Sequence, residues 1–197
     1  MNLNSRSSLI ILAGGASRRM GHPKHLLMTP GGTLVEHIAE RLSPLFAESL
    51  LVGRSGREIP AGMRFVEDVR PERSPLVGIY SGLCAATAGT CLVIGCDMPF
   101  VMPELVHTLL ESIGQNDVAV PIVNGFYEPL LAVYRRSCSC IEAIERALDE
   151  KRFKVTSFYP DVAIREIPEN VLRQTDPDLR SFTNINTPKQ LPLLARL

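Results

Sequence analysis

Residues 8–24 read SLIILAGGASRRMGHPK, and this stretch decides the fold. Ser8 to Leu12 is an apolar run with the length of one buried strand. The glycines after it let a backbone approach a ligand closely, and the cationic side chains can hold phosphate oxygens. Residues 1–35 contain no Asp or Glu but four Lys or Arg. The stretch therefore predicts a positive pocket for a polyphosphate at the end of the first strand; the alternative is a glycine-rich turn with solvated arginines.

Composition narrows the class of protein further. The chain has 197 residues, 45% of them apolar, which predicts one domain. Lys plus Arg (21) equals Asp plus Glu (21), so global charge favours neither a nucleic-acid partner nor an anionic membrane. No apolar run approaches the 18 residues of a membrane span. The cysteines are odd in number and form no CxxC pair, which predicts reduced thiols in a cytoplasmic protein: Cys84, Cys91, Cys96, Cys138 and Cys140.

Strand and helix patterns alternate along the chain. Strands are predicted at 8–12, 50–52, 63–66, 90–95, 118–123, 129–134 and 162–167, and helices at 34–42, 75–86, 103–113, 139–150 and after Pro188. Asn124-Gly125 indicates a hairpin between two of the later strands. This order predicts an α/β, three-layer, Rossmann-like fold with a mostly parallel sheet, helices on both faces and an antiparallel excursion in the second half.

In such sheets ligands bind beyond the carboxyl ends of the strands. That rule selects the loop after Leu12 and the turn at Asp97, which follows the buried run at 91–94. A carboxylate at a strand end suits Mg²⁺, which takes one or two protein carboxylates together with phosphate oxygens and waters. The other interpretation of Asp97 is a cap for the next turn or helix.

The string from Leu12 to Lys24 resembles the LAGGxSxRMGxxK signature of the molybdenum cofactor guanylyltransferase family, whose members are nucleotidyltransferases with a Rossmann-like fold. Four further blocks resemble that family in the same order: Glu67-Asp68 with residues 74–79, residues 96–99, residues 128–134 and residues 182–188. The resemblance therefore extends over almost the whole chain.

The resemblance implies a nucleotidyl transfer in which a phosphate oxygen of molybdopterin attacks the α-phosphorus of Mg-GTP and pyrophosphate leaves. It implies that Lys24 holds the triphosphate and counters charge on the leaving group, with Arg19 as a helper. It also implies that Asp97 is a catalytic residue and the Mg²⁺ ligand. Phosphoryl chemistry asks the protein mainly for positioning and charge stabilisation, so these residue types suit the reaction.

The same resemblance implies a GTP-binding set: Leu12, Ala13, Gly14, Gly15, Lys24, Asp68 and Asp97. A carboxylate can accept hydrogen bonds from the N1–H and exocyclic amine of guanine, a pattern that cytosine does not offer. Which acid reads the base stays open. Related cytidylyltransferases carry Ala where this chain has Gly14, which favours GTP over CTP here.

For the acceptor, the resemblance implies Asn184, Asn186 and Lys154 as binding residues; the alternatives are loop-capping amides and a solvated charge run. The chain departs from the family pattern at Arg54, where family members often carry Asn. The Arg54 side chain is therefore expected either to serve the phosphates or to be a solvated loop arginine. The expected division is a nucleotide-binding half at about 1–100 and an acceptor-binding half at about 101–197. A molybdoenzyme or a cofactor-biosynthesis protein is the expected protein partner.

Two other functions compete with this interpretation. The first is another small nucleotidyltransferase, either a cofactor cytidylyltransferase or a sugar-phosphate guanylyltransferase. The second is a chaperone that binds nucleotide or cofactor without turnover. The central hypothesis requires that Lys24 and Asp97 share one cavity in the folded chain.

Overall fold

The computed structural model describes residues 6–13, 28–29, 32–54, 59–186, 190 and 192–194. Its strands are β1 (Ser7–Leu12), β2 (Met28–Thr29), β3 (Gly32–Thr33), β4 (Glu48–Gly53), β5 (Arg64–Glu67), β6 (Thr90–Gly95), β7 (Val118–Val123), β8 (Phe126–Tyr127), β9 (Leu131–Arg135) and β10 (Ile164–Ile167). Its α-helices are α1 (Leu34–Leu42), α2 (Pro75–Ala85), α3 (Pro103–Ser112), α4 (Cys138–Asp149) and α5 (Glu169–Leu172). Short 3₁₀ turns lie at Ser43–Leu45, Val155–Asp161 and Arg180–Phe182.

The main sheet has the strand order β10-β7-β9-β6-β1-β4-β5, with β8 added as a partner of β7. β1 pairs in parallel with β4 and β6, β4 with β5, and β10 with β7. Among the described strands of this path, β9 alone runs antiparallel to its neighbours β6 and β7. The carboxyl ends of β1, β4, β5, β6, β7 and β10 therefore share one edge of the sheet, called here the carboxyl edge.

The side chains of the central strands alternate between two apolar cores. Leu9, Ile11 and Leu92 pack on the face covered by α1 and α3. Ile10 and Val93 pack on the opposite face, under α2 and α4. Both faces of β1 and β6 are thus buried, which explains why these strands are continuous apolar runs rather than alternating ones. The predicted three-layer architecture is confirmed.

Side-chain caps start the helices where the sequence predicts them. Thr33 accepts the Glu36 amide at 3.2 Å while the Glu36 carboxylate accepts the Thr33 amide at 2.7 Å, which is a complete capping box at α1. Ser74 caps α2 and Ser137 caps α4 through their hydroxyl oxygens. No helix within the described ranges is both long enough and apolar enough to cross a membrane.

The second half differs from the prediction in detail. Asn124 and Gly125 have φ values of 52° and 81°, which a two-residue type I′ turn requires, and they join β7 to the short β8. The return strand begins at Leu131 rather than at Pro129, because the Leu131 amide closes a turn by donating to the Glu128 carbonyl at 3.1 Å. The predicted C-terminal helix after Pro188 falls mostly outside the described residues.

Candidate active site

Two neighbouring strands fix the first site residues at the carboxyl edge. Leu12 lies opposite Val52 of β4 and Gly95 of β6. The amide of Cys96 donates to the Leu12 carbonyl at 3.1 Å, and the amide of Ala13 donates to the Val52 carbonyl at 2.8 Å. The backbone of Leu12 and Ala13, expected beside the guanine, is therefore held rigidly at the point where the glycine-rich loop begins.

Asp97 lies two residues beyond the end of β6. The Met98 amide donates to the Gly95 carbonyl at 3.2 Å, which closes a turn around Cys96 and Asp97. A Cβ placed on Gly95 would lie 2.7 Å from Asp97 Oδ1, closer than real Cβ contacts allow. Glycine at this position therefore leaves the room into which the half-buried carboxylate folds, over the end of its own strand.

Asp68 lies at the end of β5, on the α2 side of the sheet. Its amide donates to the Gly53 carbonyl at 2.9 Å, which extends the β4–β5 ladder by one residue. A Cβ on Gly78 would lie 3.1 Å from Leu12 Cδ2 and 3.8 Å from Asp68 Oδ1. The Asp68 carboxylate thus lies near the first turns of α2 and near the Leu12 side chain.

The loop after Asp68 is anchored by residues that the sequence did not identify. Val69 donates its amide to Ser81 Oγ at 3.0 Å, and the Ser81 hydroxyl in turn donates to the Val77 carbonyl at 2.8 Å. A buried serine inside the otherwise apolar α2 was the available signal. Arg54, interpreted as serving the phosphates or as a solvated loop side chain, is half-buried and donates to the Pro71 carbonyl. Its guanidinium therefore contributes to the anchoring of this loop.

Arg70 anchors the same loop to α4. Its guanidinium lies 2.6 Å from Asp149 Oδ1 and 3.6 Å from Glu145 Oε1, and it lies over the Tyr80 ring. Through its hydrogen bond to Asp149, this contact raises the pKa of Arg70. Nothing in the local sequence distinguishes Arg70 from a solvated arginine, because its two acidic partners are more than 70 positions away.

The C-terminal block reaches Asp97 directly. The Ile185 amide donates to the Asp97 carbonyl at 2.8 Å. The Ile185 side chain is fully buried in a small cluster with Leu34, Phe100 and Leu194. Burial of Ile185 holds the segment in place, so its neighbours Asn184 and Asn186 lie beside the turn that carries Asp97.

Lys154 lies on a different part of the same edge. It is exposed and precedes the 3₁₀ turn Val155–Asp161. The carbonyl of its neighbour Phe153 accepts the Ser74 hydroxyl at 2.7 Å, so the basic stretch lies beside the beginning of α2. Lys24, Arg19, Gly14 and Gly15 lie outside the described residues, and the expectation that Lys24 and Asp97 share a cavity stays a prediction.

The described residues suit one kind of metal ion. Among them, no group of three or more His, Cys, Asp or Glu side chains is arranged to hold a metal. A single aspartate at a strand end is a donor set for a hard ion that takes its other ligands from phosphates and water, as Mg²⁺ does. The carboxylate over Gly95 therefore fits Mg²⁺ and does not fit a structural zinc site.

A mostly parallel sheet whose carboxyl edge carries the Leu12–Ala13 backbone, two aspartates and a returning C-terminal segment defines a nucleotidyltransferase-like α/β protein. The structure of 2-C-methyl-D-erythritol 4-phosphate cytidylyltransferase from Thermus thermophilus shares this fold, with a TM-score of 0.69 and 20% identity over 95% of this chain and 96% of that one. The family model for the MobA-like NTP transferase domain matches residues 9–162. The chain belongs to this family.

Three relatives sharpen the comparison. A probable molybdenum cofactor guanylyltransferase of Pelotomaculum thermopropionicum is 40% identical over 92% of this chain and 88% of its own length. A molybdenum cofactor guanylyltransferase of Desulfosudis oleivorans is 35% identical over 92% and 91%. The crystal structure of molybdopterin-guanine dinucleotide biosynthesis protein A from Archaeoglobus fulgidus matches with a TM-score of 0.82 and 32% identity, over 96% of this chain and 97% of that one.

Proposed function

We propose that the protein transfers GMP from GTP to the terminal phosphate of molybdopterin and releases pyrophosphate. The observation that carries the proposal is the Asp97 turn, because the Leu12 carbonyl, the folded-back carboxylate and the 184–186 segment meet there. The names of the relatives support guanine as the base and molybdopterin as the acceptor.

The reaction exchanges one phosphorus–oxygen bond for another. An acceptor phosphate oxygen bonds to the α-phosphorus, and the bond from that phosphorus to the bridging oxygen of the β-phosphate breaks. The attacking oxygen is already ionised at neutral pH, so no protein base is required. The protein's contribution is to align the two phosphates and to stabilise negative charge on the leaving group.

Each expected site residue has a role in this alignment. The rigid Leu12–Ala13 backbone supports the base, and the Asp68 carboxylate accepts the N1–H and amine of guanine. Asp97 would hold Mg²⁺, which when bound neutralises charge on the phosphates. Asn184 and Asn186 contact the acceptor or complete the metal shell, and Lys154 meets the acceptor's phosphate. Lys24 and Arg19 carry the pyrophosphate charge, and Gly14 and Gly15 bring backbone amides to the nucleotide.

The proposed function also assigns a role to each half of the chain, a cellular location and a protein partner. Residues at about 1–100 bind the nucleotide and those at about 101–197 bind the acceptor, within a single domain. All five cysteines are free thiols, which suits the reducing cytoplasm as the place of the reaction. A molybdoenzyme or another protein of cofactor synthesis is the proposed recipient of the product.

The test measures pyrophosphate release with paired substrates. We expect release from GTP that depends on molybdopterin, and little release when CTP replaces GTP. Release from CTP with molybdopterin would instead support a cofactor cytidylyltransferase, and release with a hexose phosphate as acceptor a sugar-phosphate guanylyltransferase. Binding of GTP and molybdopterin without any release would support the chaperone.

Asp97→Asn tests the residue that carries the proposal. Loss of the metal-binding charge should lower kcat on the order of 10³-fold, which corresponds to about 4 kcal/mol in the barrier. Calorimetry should also show that Mg²⁺ no longer strengthens GTP binding. Asp178→Asn, at an exposed position, is the matched control. Equal kcat values for the Asp97→Asn variant and the control would refute the assignment of Asp97.

A further inference from the structure

The β7–β8 hairpin presents two side chains on one face. Val123 pairs with Phe126 and Ile122 with Tyr127, and the Glu128 amide continues this ladder by donating to the Pro121 carbonyl at 2.9 Å. Because strand side chains alternate, Glu128 lies on the same face of the hairpin as Phe126 and on the opposite face from Tyr127.

Tyr127 is already engaged by the fold. Its hydroxyl donates to the Glu166 carboxylate, and its ring meets the Tyr159 ring edge-on with centroids 5.4 Å apart. Phe126, by contrast, is 73% exposed and makes no aromatic contact among the described residues. An exposed phenyl ring beside a carboxylate offers a surface for a flat, polar heterocycle.

The hairpin returns to the strand that leads to Asp97. The Leu131 amide donates to the Glu128 carbonyl at 3.1 Å, and the Leu130 carbonyl accepts the Gly95 amide at 2.9 Å. The buried Tyr134 hydroxyl donates to the Pro129 carbonyl at 2.8 Å and holds this turn in place. Glu128 is therefore held at the carboxyl edge, next to the end of β6.

The Glu128 carboxylate is half-buried without a protein donor in the described part of the chain. No hydrogen bond or ion pair to this carboxylate is present there, and burial raises the pKa of Glu128. A desolvated carboxylate without hydrogen bonds is costly to maintain. Two adjacent N–H donors of a ligand would remove that cost.

We propose that Phe126 and Glu128 form the subsite for the acceptor's pterin ring: the ring stacks on Phe126, and the Glu128 carboxylate accepts its N3–H and 2-amino group. This inference rests on the proposed function, which makes a pterin the acceptor. The amide and amine of a pterin form the same donor pair as those of guanine, so each ring requires its own carboxylate.

The strand order places the carboxylates proposed to bind guanine and pterin on opposite sides of β6. In the order β7-β9-β6-β1-β4-β5, Asp97 follows β6, Glu128 precedes β9 and pairs with β7, and Asp68 follows β5. With about 4.8 Å between strands, Asp68 lies on the order of 14 Å to one side of β6, and Glu128 on the order of 5–10 Å to the other. The reacting phosphates would thus lie between the two rings, as an extended dinucleotide product requires.

The experiment compares two fluorescent probes that differ at one group. 6-Hydroxymethylpterin monophosphate carries the 2-amino group, and the corresponding lumazine carries a 2-oxo group in its place. The chain contains no Trp, so probe fluorescence can be followed without a protein tryptophan signal. We expect the unmodified chain to bind the pterin about 10- to 100-fold more tightly, since the lumazine leaves the carboxylate facing an oxygen.

Variants assign that preference to the hairpin. Glu128→Gln should bring the pterin-to-lumazine ratio close to one, and Glu128→Asp, which keeps the charge with a shorter reach, should give an intermediate ratio. Phe126→Ala should weaken both probes by a similar factor and leave the ratio intact. Glu142→Gln, at an exposed position on α4, is the matched control and should change neither affinity.

Three results with the probes would overturn the inference: an unmodified chain that binds neither probe, one that binds both equally, or a ratio unaffected by Glu128→Gln. A loss of preference for GTP over ITP in Glu128→Gln would show that this acid reads guanine and would equally overturn it. Pyrophosphate release from GTP with molybdopterin by the unmodified chain is measured in parallel. If release proceeds while the probe ratio fails, only the pterin subsite is refuted and the proposed function stands.

Discussion

The two edges of the sheet hold glutamates in opposite environments. At the amino edge, Glu48 accepts hydrogen bonds from the Ser8 hydroxyl at 2.6 Å and from the Thr87 hydroxyl at 2.8 Å, as well as from the amides of Thr87 and Ala88. At the carboxyl edge, Glu128 has no such donors among the described residues, and burial raises its pKa. Burial also acts to raise the pKa of Glu48, but these hydrogen bonds outweigh it and lower the value to about 2.

The difference separates a structural acid from one available to a ligand. Glu48 ties together the beginnings of β1 and β4 and the loop before β6, and Arg64 adds an ion pair at 3.4 Å. Its negative charge is thus used within the fold. The carboxyl edge instead keeps acids at the ends of strands, where ligands of parallel sheets bind. Substitutions at the two edges should therefore affect different measurements.

After that of Asp97→Asn, the largest expected effect on activity comes from Gly95→Ala at the carboxyl edge. The new methyl group would lie 2.7 Å from Asp97 Oδ1 and must displace that carboxylate. A shift of about 1 Å in a catalytic group can lower the rate about 10²-fold. Steady-state pyrophosphate release should show this loss in kcat. The thermal midpoint should change little, because the displaced group is the end of a side chain.

Gly89→Ala is the control for this substitution, because a Cβ there meets nothing within 4 Å. A Gly95→Ala enzyme with the activity of the control would mean that the position of Asp97 over the strand end is not required for the reaction. The acid at the carboxyl edge would then have no demonstrated effect on activity.

At the amino edge, Glu48→Gln should lower stability and leave kcat unchanged. Hydrogen bonds to a charged acceptor contribute more than neutral ones, so we expect a loss of about 2 kcal/mol in the free energy of unfolding at pH 7. Because the pKa of Glu48 in the folded chain lies below the ordinary glutamate value of 4.5, its contribution to stability is complete above pH 4.5 and disappears as the pH falls towards 2.

Urea unfolding at several pH values measures this difference. The unmodified chain should lose its advantage over Glu48→Gln between about pH 4.5 and pH 2. Glu111→Gln, at an exposed position on α3, should match the unmodified chain throughout. A constant difference between Glu48→Gln and the unmodified chain over this range would contradict the assigned role of the charge.

The smallest expected effect lies between the two edges, at Gly82 in α2. A Cβ there would lie 2.8 Å from Ile10 Cγ2 and 3.3 Å from Val52 Cγ2, in the middle of the buried core. Overpacking costs about 1–3 kcal/mol, and Ala returns up to about 1 kcal/mol of helix propensity. Gly82→Ala should therefore destabilise by about 1 kcal/mol in a thermal melt, whereas Gly89→Ala should not. A melting temperature above that of the unmodified chain would show that the space between α2 and β1 can accommodate an additional methyl group.

Local signals in the sequence explain most of the observed elements. The apolar runs at 8–12 and 90–95 and the helical patterns at 34–42, 75–86 and 139–150 are set by residues close together in the sequence, so the bounds of these elements were predicted to within one or two positions. The resemblance likewise located Asp97 and the 184–186 block, which the structure brings together through Ile185. The family assignment was confirmed by the comparisons.

Other features required the folded chain. The loop carrying Asp68 is anchored by Arg54, Arg70 and Ser81, whose partners are distant in sequence or on a neighbouring helix. The sequence likewise predicted one hairpin where the structure has β7 pairing with both β8 and β9.

Sequence alone thus determined the parallel sheet, its helical layers and the acid at the end of β6, because strand burial, helix capping and turn chemistry are local. Tertiary structure decided which glutamate is satisfied by the fold and which is left for a ligand. Glu48 and Glu128 have the same side chain, but distant segments bring hydrogen-bond donors to Glu48 and bring none among the described residues to Glu128. Those donors, unlike local propensities, exist only once the chain has folded.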